Sequence, residues 1–364
     1  MKVLMDGINQ AGNFEVFIIS PQGEPQNDRN LVLREYGSFV LRKNKCLDNL
    51  KILWDIHRLI KKIDPHIVHV QMTSTLIIIN ALRRLGFLNR RMRIVWTDRG
   101  IYGEDGWLTT ISTNSIVKEA TKVITTTQHN QGNYARLFRR YDAYKDKFQV
   151  IHNTAGTKYT VYEDKQREKV RAGLGFEENT FVVGFCGRYS EQKDWPLAKR
   201  IIERCDKLND RAFLVILGSD QTDADRQRIH AFIRELEEAA GKDKITALVD
   251  VDNDVVSDLY YAMDCFVLTS RWESFGRTAV EAMARKNMVV GTDVDGLSEV
   301  IGAKQFLYRE EERAFQIIEE HYKDRDKLNE SKTFFYNRYH ELFSTKSHIG
   351  LYEQMYKDIF NAFF

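Results

Sequence analysis

The stretch most informative about chemistry is residues 270–284, SRWESFGRTAVEAMA, which follows the apolar run CFVLT. This pattern predicts a strand leading directly into a helix, with Ser274 able to cap the helix and Gly276 leaving the first backbone amides open. Such a helix start binds pyrophosphate groups, and Glu281, one turn in, can accept two hydrogen bonds from a ribose diol. Glu273, just ahead of the helix, can meet the group beyond the phosphates. Either glutamate alone is better explained as an acidic residue favoured near a helix N-terminus.

Two cations follow another apolar run. Arg188 and Lys193 come after FVVGFC, so we expect them at the carboxyl edge of a sheet, where ligands of open α/β sheets bind. There they can hold a diphosphate and stabilise it as it leaves, without a metal ion. A lysine taken singly is more often a solvated residue, so the pattern around it carries the prediction.

Strand and helix patterns alternate along the first half of the chain. The predicted strands are residues 15–20, 66–70, 93–97, 122–127 and 149–152. Residues 50–63 have apolar side chains on one broad face and are predicted to form a helix. This alternation favours a parallel sheet covered on both faces. Residues 2–10 fit either a first strand or a helix.

A polar segment, residues 156–179, interrupts the alternation, and we place the domain boundary there. The pattern then restarts, with predicted strands at 181–186, 213–217, 246–249, 265–269 and 288–291 and helices at 196–208, 224–240, 255–263 and 278–285. Two doubly wound domains in tandem predict a cleft between them.

Composition suits this organisation. The 364 residues, 43% of them apolar and 29% charged, are enough for two globular domains. No run approaches the roughly 18 apolar residues of a membrane span, and the first ten residues lack a signal-peptide pattern. We therefore expect a cytoplasmic protein, with peripheral contact to the inner face of the membrane as an option. The four scattered cysteines predict neither a zinc site nor a disulfide framework.

The net charge of +2 hides an asymmetry. Residues 1–160 carry 24 basic and 14 acidic residues, a net of +10, and the remainder carries 30 and 38, a net of −8. An anionic membrane surface or a phosphate-bearing acceptor would fit the basic half. Nucleic acid is disfavoured, because the basic residues have no interleaved stacking aromatics. A solvated basic surface without a partner is an equal alternative.

The string with Glu273 and Glu281 resembles the E-x7-E motif of the retaining GT-B glycosyltransferases, specifically glycosyltransferase family 4. The segments GFCGRYSEQKDW, LVILGS, VDVDNDVVSDLYYAMDCFVL and GTDVDGLSEVI are similar to family segments in the same order. The resemblance thus covers nearly all of residues 181–301. The first half is similar only loosely, through IDPHIVHVQ and VIHNTAG. It has no Gly-rich loop before Glu15, and it reads TDRG, with Asp98, where many members have a histidine.

The resemblance implies roles for single residues. Arg188 and Lys193 would hold the donor diphosphate, Glu273 would contact the donor sugar, and Asp98 would either replace a polar contact or cap its own backbone. These four form the implied catalytic set. The implied donor-binding set is Gly187, Gly218, Asp250, Val251, Ser274, Phe275, Gly276, Arg277, Glu281 and Gly296.

An alternating aspartate run and a histidine on a strand are interpreted as structural features. Asp250, Asp252 and Asp254 alternate as metal ligands on a strand can, but they fall where the family has a loop beside the nucleotide base. We therefore expect a solvated loop and no metal. His69, on an apolar strand, is interpreted as a core histidine.

We therefore predict an α/β chain with the GT-B fold, two facing Rossmann-like doubly wound domains with an interdomain cleft. Residues 1–165 would bind the acceptor, residues 166–345 the nucleotide-sugar, and residues 346–364 would form a helix crossing back to the first domain. The resemblance implies retention of configuration. We predict metal-independent transfer of a hexose from a UDP- or GDP-sugar to a saccharide or lipid-linked acceptor, in cell-envelope polysaccharide or glycolipid assembly, with no cofactor. A catalytically silent GT-B subunit, suggested by the absent Gly-rich loop, and a sugar-nucleotide epimerase are the alternatives.

Overall fold

The structure, a computed structural model, describes residues 2–20, 29–33, 46–103 and 107–363. Residue 364, the end of the predicted C-terminal helix, lies outside this range. The chain divides into two compact units, Met1–His152 with His348–Phe364, and Asn153–Ser347. Within the described ranges, no helix combines the length and the apolar character that crossing a membrane requires.

Strands and helices alternate through both units. The strands are β1 (Ile18–Ser20), β2 (Asn30–Val32), β3 (Ile67–Val70), β4 (Arg93–Asp98), β5 (Lys122–Thr125), β6 (Phe148–Val150), β7 (Phe181–Arg188), β8 (Arg211–Gly218), β9 (Ile245–Val249), β10 (Cys265–Leu268), β11 (Met288–Thr292) and β12 (Leu307–Tyr308). The helices are α1 (Lys2–Ala11), α2 (Cys46–Ile63), α3 (Thr73–Arg84), α4 (Trp107–Glu119), α5 (Gln128–Leu137), α6 (Asp164–Gly173), α7 (Trp195–Arg204), α8 (Asp223–Ala240), α9 (Asn253–Leu259), α10 (Arg277–Ala284), α11 (Asp295–Ile301), α12 (Glu311–Lys323), α13 (Arg325–Arg338) and α14 (Thr345–Phe363).

The described residues of the first unit form two parallel sheets. Strands β3, β4, β5 and β6 pair in that order, and β1 pairs with β2 separately. Helices α1 and α14 cover one face, where Leu4, Ile8, Tyr352 and Met355 cluster with Val95. Helices α2, α3, α4 and α5 supply the apolar cluster of the other face. Burial on both faces explains why these strands are continuous apolar runs. The first residues, which fit a strand or a helix, form helix α1.

The second unit is built on one six-stranded parallel sheet with the order β12-β11-β10-β7-β8-β9. Strands β7 and β8 pair over eight residues, from Phe181 opposite Arg211 to Arg188 opposite Gly218. Their central residues are almost completely buried, as the apolar sequences FVVGF and FLVIL require when helices cover both faces. The mixed α/β architecture with parallel sheets confirms the predicted fold class.

Buried charges join helices α6 and α13 to this sheet. The Asp264 carboxylate lies 2.6 Å from Arg167, 3.3 Å from Arg171 and 3.1 Å from Lys332, and it accepts a 3.0 Å hydrogen bond from the Val182 amide. Burial favours the protonated form, but the three cations and the amide outweigh it and lower the pKa of Asp264 to about 2. The carboxylate therefore stays ionised and holds the start of β10 beside β7.

The segment predicted to interrupt the alternation contains helix α6. Its stretch DKQREKVRAG has few apolar residues, so apolar periodicity did not reveal it. Arg171, only 5% exposed, explains its position, because its guanidinium donates to backbone carbonyls at Ala262 and Thr180. Hydrogen bonds from the buried Arg171 thus hold helix α6 against the sheet, a role that an apolar stripe usually has.

Candidate functional site

The candidate site of the second unit lies where the winding of its sheet reverses. From β7 the chain proceeds to β8 and β9 on one side and then to β10, β11 and β12 on the other. In open α/β sheets, ligands bind at the carboxyl ends of the strands beside such a reversal. Here these are the ends of β7 and β10, where Cys186, Lys193, Thr269 and Ser270 line a small cavity.

A charged pair closes this crevice. Lys193 lies in a short 3-10 turn after β7, and Glu273 lies in the loop after β10. The Nζ of Lys193 is 2.6 Å from Oε2 of Glu273, and the two side chains are only 18% and 12% exposed. Ser270 donates to the same oxygen at 3.4 Å. Two residues predicted to be catalytic, 80 positions apart in sequence, are thus brought into contact.

The first residues of helix α11 fix the backbone of Glu273. Its amide donates to Oδ2 of Asp295 at 3.0 Å, and its carbonyl accepts a 3.1 Å hydrogen bond from the Gly296 amide. Gly296, one of the implied donor-binding residues, therefore uses its N–H to hold Glu273. Asp295 was not among the predicted site residues, because nothing in the local sequence reveals a partner 22 positions away.

Glu281 lies on the buried face of helix α10. Its carboxylate is 2.9 Å from Nε of Arg277 and accepts a 3.2 Å hydrogen bond from the Tyr260 hydroxyl. Burial raises the pKa of Glu281, and the Arg277 charge opposes that shift. Tyr260 is fully buried and was also missed by the sequence analysis, since its contact depends on tertiary packing.

The start of helix α10 differs from the prediction in one respect. The residue that precedes the first turn is Gly276, with φ of 85°, so the predicted cap by Ser274 is wrong. Glycine is favoured there, because a Cβ atom would lie 2.7 Å from Cδ1 of Leu297 in addition to requiring the left-handed conformation. Phe275 is 3% exposed and packs edge-on against Phe343, so its side chain belongs to the core.

Arg188 ends strand β7 with an exposed side chain. Its carbonyl accepts a 2.9 Å hydrogen bond from the Trp195 indole, whereas its guanidinium has no hydrogen bond or ion pair within the described part of the chain. Gly187 precedes it, and a Cβ atom there would press on the Lys193 side chain at 3.2 Å. The Gly218 carbonyl accepts a 2.7 Å hydrogen bond from the Tyr189 amide. The crevice therefore has one paired cation and one uncommitted cation.

Aspartates of the alternating run are engaged separately. Oδ1 and Oδ2 of Asp250 accept hydrogen bonds from the backbone amide and the hydroxyl of Ser219, both at 2.7 Å, and these lower the pKa of Asp250. Arg226 also pairs with Asp250, and Lys158 pairs with Asp254. Val251 packs against the core of the unit. The run thus ties loops together at the carboxyl ends of β8 and β9.

Buried hydroxyls at this edge escaped the sequence analysis. Oγ of Ser190 and Oγ1 of Thr278 are inaccessible to water and have no hydrogen-bond partner in the described structure. Buried polar groups are normally paired. One hydroxyl follows β7 and the other lies in the first turn of α10, so both flank the crevice.

Polar side chains also gather at the carboxyl ends of β3 and β4 in the first unit. Oδ1 of Asp98 accepts from the Gly100 amide at 3.0 Å, and Oδ2 accepts from the buried Tyr134 hydroxyl at 2.5 Å. These contacts favour the interpretation of Asp98 as a residue that caps its own backbone. Arg99 donates to Gln71 at 2.7 Å.

His69 is held in a hydrogen-bonded chain. Nδ1 lies 2.5 Å from the Tyr356 hydroxyl, and Nε2 lies 2.7 Å from the Thr97 hydroxyl. Burial, assisted by the positive charge of Arg99, lowers the pKa of His69 to about 3. The ring is therefore neutral, as expected of a satisfied core histidine.

Residues 166–335 match the sequence model of the family described as glycosyl transferases group 1, and residues 4–157 match that of glycosyltransferase family 4. The D-inositol 3-phosphate glycosyltransferase of Nocardia farcinica is 28% identical over 207 residues, which are 56% of this chain and 45% of that protein. The mannosylfructose-phosphate synthase of Agrobacterium fabrum is 32% identical over 143 residues, 38% of this chain and 30% of that protein. The chain thus spans about half the length, or less, of the curated relatives it matches.

Solved structures share the fold. The sucrose-phosphate synthase of Thermosynechococcus elongatus superimposes with a TM-score of 0.79 at 18% identity, over 99% of this chain and 92% of that chain. Anabaena HepE in complex with UDP and glucose superimposes with a TM-score of 0.73 at 18% identity, over 94% of this chain and 100% of that chain. These proteins are glycosyltransferases of the GT-B type, which confirms the GT-B fold.

Proposed function

We propose that this chain, which belongs to the GT-B glycosyltransferases of group 1 and family 4, transfers a hexose from a UDP- or GDP-sugar to an acceptor hydroxyl with retention of configuration. The observation that best supports this proposal is the contact between Lys193 and Glu273. It lies where the winding of the sheet in the second unit reverses, at the strand end that carries the uncommitted Arg188. This arrangement suits a diphosphate whose distal end carries a sugar. The HepE complex with UDP and glucose supports UDP as the first nucleotide to test.

The roles follow from the positions of the charges. Arg188 and Lys193 would bind the diphosphate and stabilise the negative charge that develops as it leaves. Lys193 would then exchange its Glu273 partner for a phosphate oxygen, releasing the carboxylate to accept hydrogen bonds from sugar hydroxyls. Glu281 would bind the ribose diol from within helix α10. The two cations would supply the positive charge that a divalent ion supplies elsewhere, so we propose that transfer needs no metal.

The step itself is a substitution on one face of the sugar. The bond between the anomeric carbon and the β-phosphate oxygen breaks, and the acceptor oxygen forms its bond to the same carbon from the same side. The acceptor proton passes to the departing phosphate oxygen, and the products are the glycosylated acceptor and the nucleoside diphosphate. No enzymic nucleophile takes part.

We propose an acceptor that carries a phosphate, in cell-envelope polysaccharide or glycolipid assembly. Residues 1–160 carry a net charge of +10. The names of two relatives, D-inositol 3-phosphate glycosyltransferase and mannosylfructose-phosphate synthase, refer to phosphorylated compounds. A basic unit attracts such an acceptor electrostatically.

Peripheral contact with an anionic membrane is proposed through helix α2. Leu50 and Trp54 are 56% and 58% exposed and follow one helical stripe with the exposed Arg58 and Lys61. Exposed apolar residues beside cations suit a headgroup interface. Co-sedimentation with phosphatidylserine vesicles should fall in Trp54→Ser, and equal binding of both proteins would contradict the proposal.

Binding of nucleotide-sugars tests the proposed activity. Saturation-transfer NMR against UDP-, GDP-, ADP- and CMP-sugars without metal should give a signal for one nucleotide class. Glu281→Gln should lose that signal while keeping its circular dichroism spectrum. Absence of binding to every donor would refute the enzymatic function and favour a catalytically silent subunit.

A further inference from the structure

The carboxylate of Glu281 has two partners, and they differ in how freely they can move. Arg277 pairs with Oε1 at 2.9 Å, but the Arg277 side chain is 68% exposed. The Tyr260 hydroxyl donates to Oε2 at 3.2 Å from a fully buried ring. An exposed ion pair stabilises little, because its cation also interacts with water. Tyr260 is therefore the partner that fixes the direction of the carboxylate.

The surroundings of Tyr260 fix the ring in turn. It lies in the 3-10 turn that follows α9, where its carbonyl accepts a 2.9 Å hydrogen bond from the buried side-chain amide of Asn287. The rings of Tyr159 and Phe266 pack edge-on against it, with centroid distances of 6.2 and 5.3 Å. Close-packed interiors leave few voids into which such a ring could move. The position of the hydroxyl opposite Oε2 is therefore set by the fold.

Cys186, at the crevice end of β7, orients the hydroxyl of Tyr260. Its thiol forms a hydrogen bond with this hydroxyl, and burial raises the pKa of the Cys186 thiol to about 12, so the sulfur keeps its proton. An ionised carboxylate can only accept hydrogen bonds, whereas a tyrosine hydroxyl can donate one and accept another. The chain therefore runs from the Cys186 thiol to the Tyr260 oxygen, and from the Tyr260 proton to Glu281.

The remaining lone pairs of Glu281 match two neighbouring hydroxyls. An ionised carboxylate can accept about four hydrogen bonds, about two on each oxygen. Among the residues that the structure describes, Arg277 takes one position on Oε1 and Tyr260 takes one on Oε2. A position on each oxygen is then left for a ligand. Two hydroxyls on adjacent carbon atoms can each donate to one of them.

We propose that Tyr260 is a positioning residue through which the nucleotide site selects a ribose over a 2′-deoxyribose. The inference rests on the proposed function, because it takes Glu281 as the residue that binds the ribose diol. With Oε2 held by Tyr260, both hydroxyls of a ribose are bound at once. A nucleotide without the 2′-hydroxyl leaves one carboxylate oxygen short of a partner, which costs affinity. Tyr260 is fully buried and acts only through Glu281.

The test compares the affinities of the protein for UDP and 2′-deoxy-UDP by calorimetry, or for the guanine pair if NMR selects GDP. The wild type should prefer the ribonucleotide by about 10-fold to 100-fold, as expected for a hydrogen bond to a charged group. In Tyr260→Phe this preference should fall by about threefold or more, because Oε2 loses its fixed partner.

The matched control is Tyr261→Phe. It removes a hydroxyl from the next residue, which is also buried and donates to the Val161 carbonyl at 3.2 Å. This variant should keep the wild-type preference. A general loss of stability would weaken the binding of both nucleotides alike, so the ratio of the two affinities isolates the positioning role.

The outcomes separate this inference from the proposed function. An unchanged preference in a Tyr260→Phe protein that binds UDP would overturn the inference and leave the proposed function intact. Failure of the wild type to bind any nucleoside diphosphate would refute the proposed function, and the inference with it.

The pH dependence of UDP binding is a second readout. The charged and titratable groups that face Glu281 are Arg277, Lys193, Cys186, Tyr260 and Tyr159. Of these, the Tyr260 hydroxyl stabilises the ionised carboxylate and lowers the pKa of Glu281 against the effect of burial. Tyr260→Phe should therefore shift the weakening of UDP binding at acidic pH to higher pH, and Tyr261→Phe should not. Equal profiles in the two variants would contradict the inference.

The thiol provides a further pair of variants if Tyr260→Phe does not fold. Cys186→Ala removes the group that orients the Tyr260 hydroxyl, so the preference for UDP over 2′-deoxy-UDP should fall. Cys186→Ser retains a hydrogen-bond donor at this position and should keep more of that preference. Equal preferences in these two variants would then overturn the inference.

Discussion

The Nζ of Lys193 and Oε2 of Glu273 are 2.6 Å apart, across the crevice between the ends of β7 and β10. The backbone positions both residues. Lys193 is part of the 3-10 turn that precedes α7. The backbone of Glu273 makes two hydrogen bonds, to Asp295 and to Gly296. The ion pair holds both side chains in place before any donor is bound. In the proposed reaction, a diphosphate would have to displace one partner of this pair.

Glu273→Gln should lower kcat by about 100-fold to 1,000-fold, the range seen when one group that stabilises a transition state is removed. The amide is nearly the same size, so KM for the donor should change less than kcat. Steady-state transfer assays with the donor identified by NMR give both constants. Glu312→Gln, which removes an exposed carboxylate paired with Arg204, is the matched control. A Glu273→Gln enzyme with wild-type kcat would contradict the assigned role.

Arg188→Gln should reduce nucleoside diphosphate affinity and kcat without changing stability. Its guanidinium has no partner within the described residues, so the free energy of unfolding should stay within about 0.5 kcal/mol of wild type. Lys193→Met should differ, because it leaves Glu273 partly buried without its cation, and so should also lower the melting temperature. Calorimetry and UDP titration on the two variants separate these outcomes. Unchanged UDP affinity in Arg188→Gln would remove the residue from the diphosphate site.

Binding of UDP should weaken at acidic pH through Glu281. Burial raises its pKa above the ordinary value of 4.5, and only the ionised form can accept two hydrogen bonds from a diol. As pH falls through that raised pKa, the side chain becomes protonated. The protonated side chain must lose its proton before it can accept both hydrogen bonds, so the Kd for UDP should increase. Titrations between pH 4.5 and 7.5 measure this dependence.

The control for that experiment is Glu281→Gln, which cannot ionise at this position. The difference between the two pH profiles isolates the contribution of Glu281 from titration of the nucleotide itself. Identical profiles would show that Glu281 does not contact the ribose.

The Asp264 cluster should dominate the acid sensitivity of the second unit. Its pKa is about 2 in the folded protein and about 3.9 in an unfolded chain, so the carboxylate contributes about 2–3 kcal/mol above pH 5. A depressed pKa means that this contribution is lost as pH falls from about 5 to 2. Asp264→Asn should lower stability by about 3–5 kcal/mol at pH 7, because three cations lose their buried partner.

Differential scanning calorimetry on the full chain measures both effects. Asp243→Asn, which breaks an exposed ion pair with Lys244 in the same unit, should change the unfolding free energy by less than about 0.5 kcal/mol. An Asp264→Asn protein as stable as this control would show that the buried ion pairs of Asp264 do not stabilise the second unit.

Sequence patterns were sufficient for most of the architecture. Strands buried on both faces must be continuous apolar runs, which explains why the predicted strands agree with β3 to β11 to within two residues at each end. Helix α6 was missed because Arg171 holds it through hydrogen bonds, which leave no apolar period. Helices α12 and α13 were not predicted either, although buried residues such as Phe315 and Phe335 recur along them.

The sequence by itself determined which residues could share the site, since short covalent spacing fixes local geometry. Glu273 and Glu281 flank the start of one helix, and Arg188 and Lys193 flank one strand end. Tertiary structure alone decided that Lys193 meets Glu273, that Asp295 orients it and that Tyr260 contacts Glu281. Those contacts depend on β10 lying beside β7, and strand order is set by long-range packing, which periodicity does not encode.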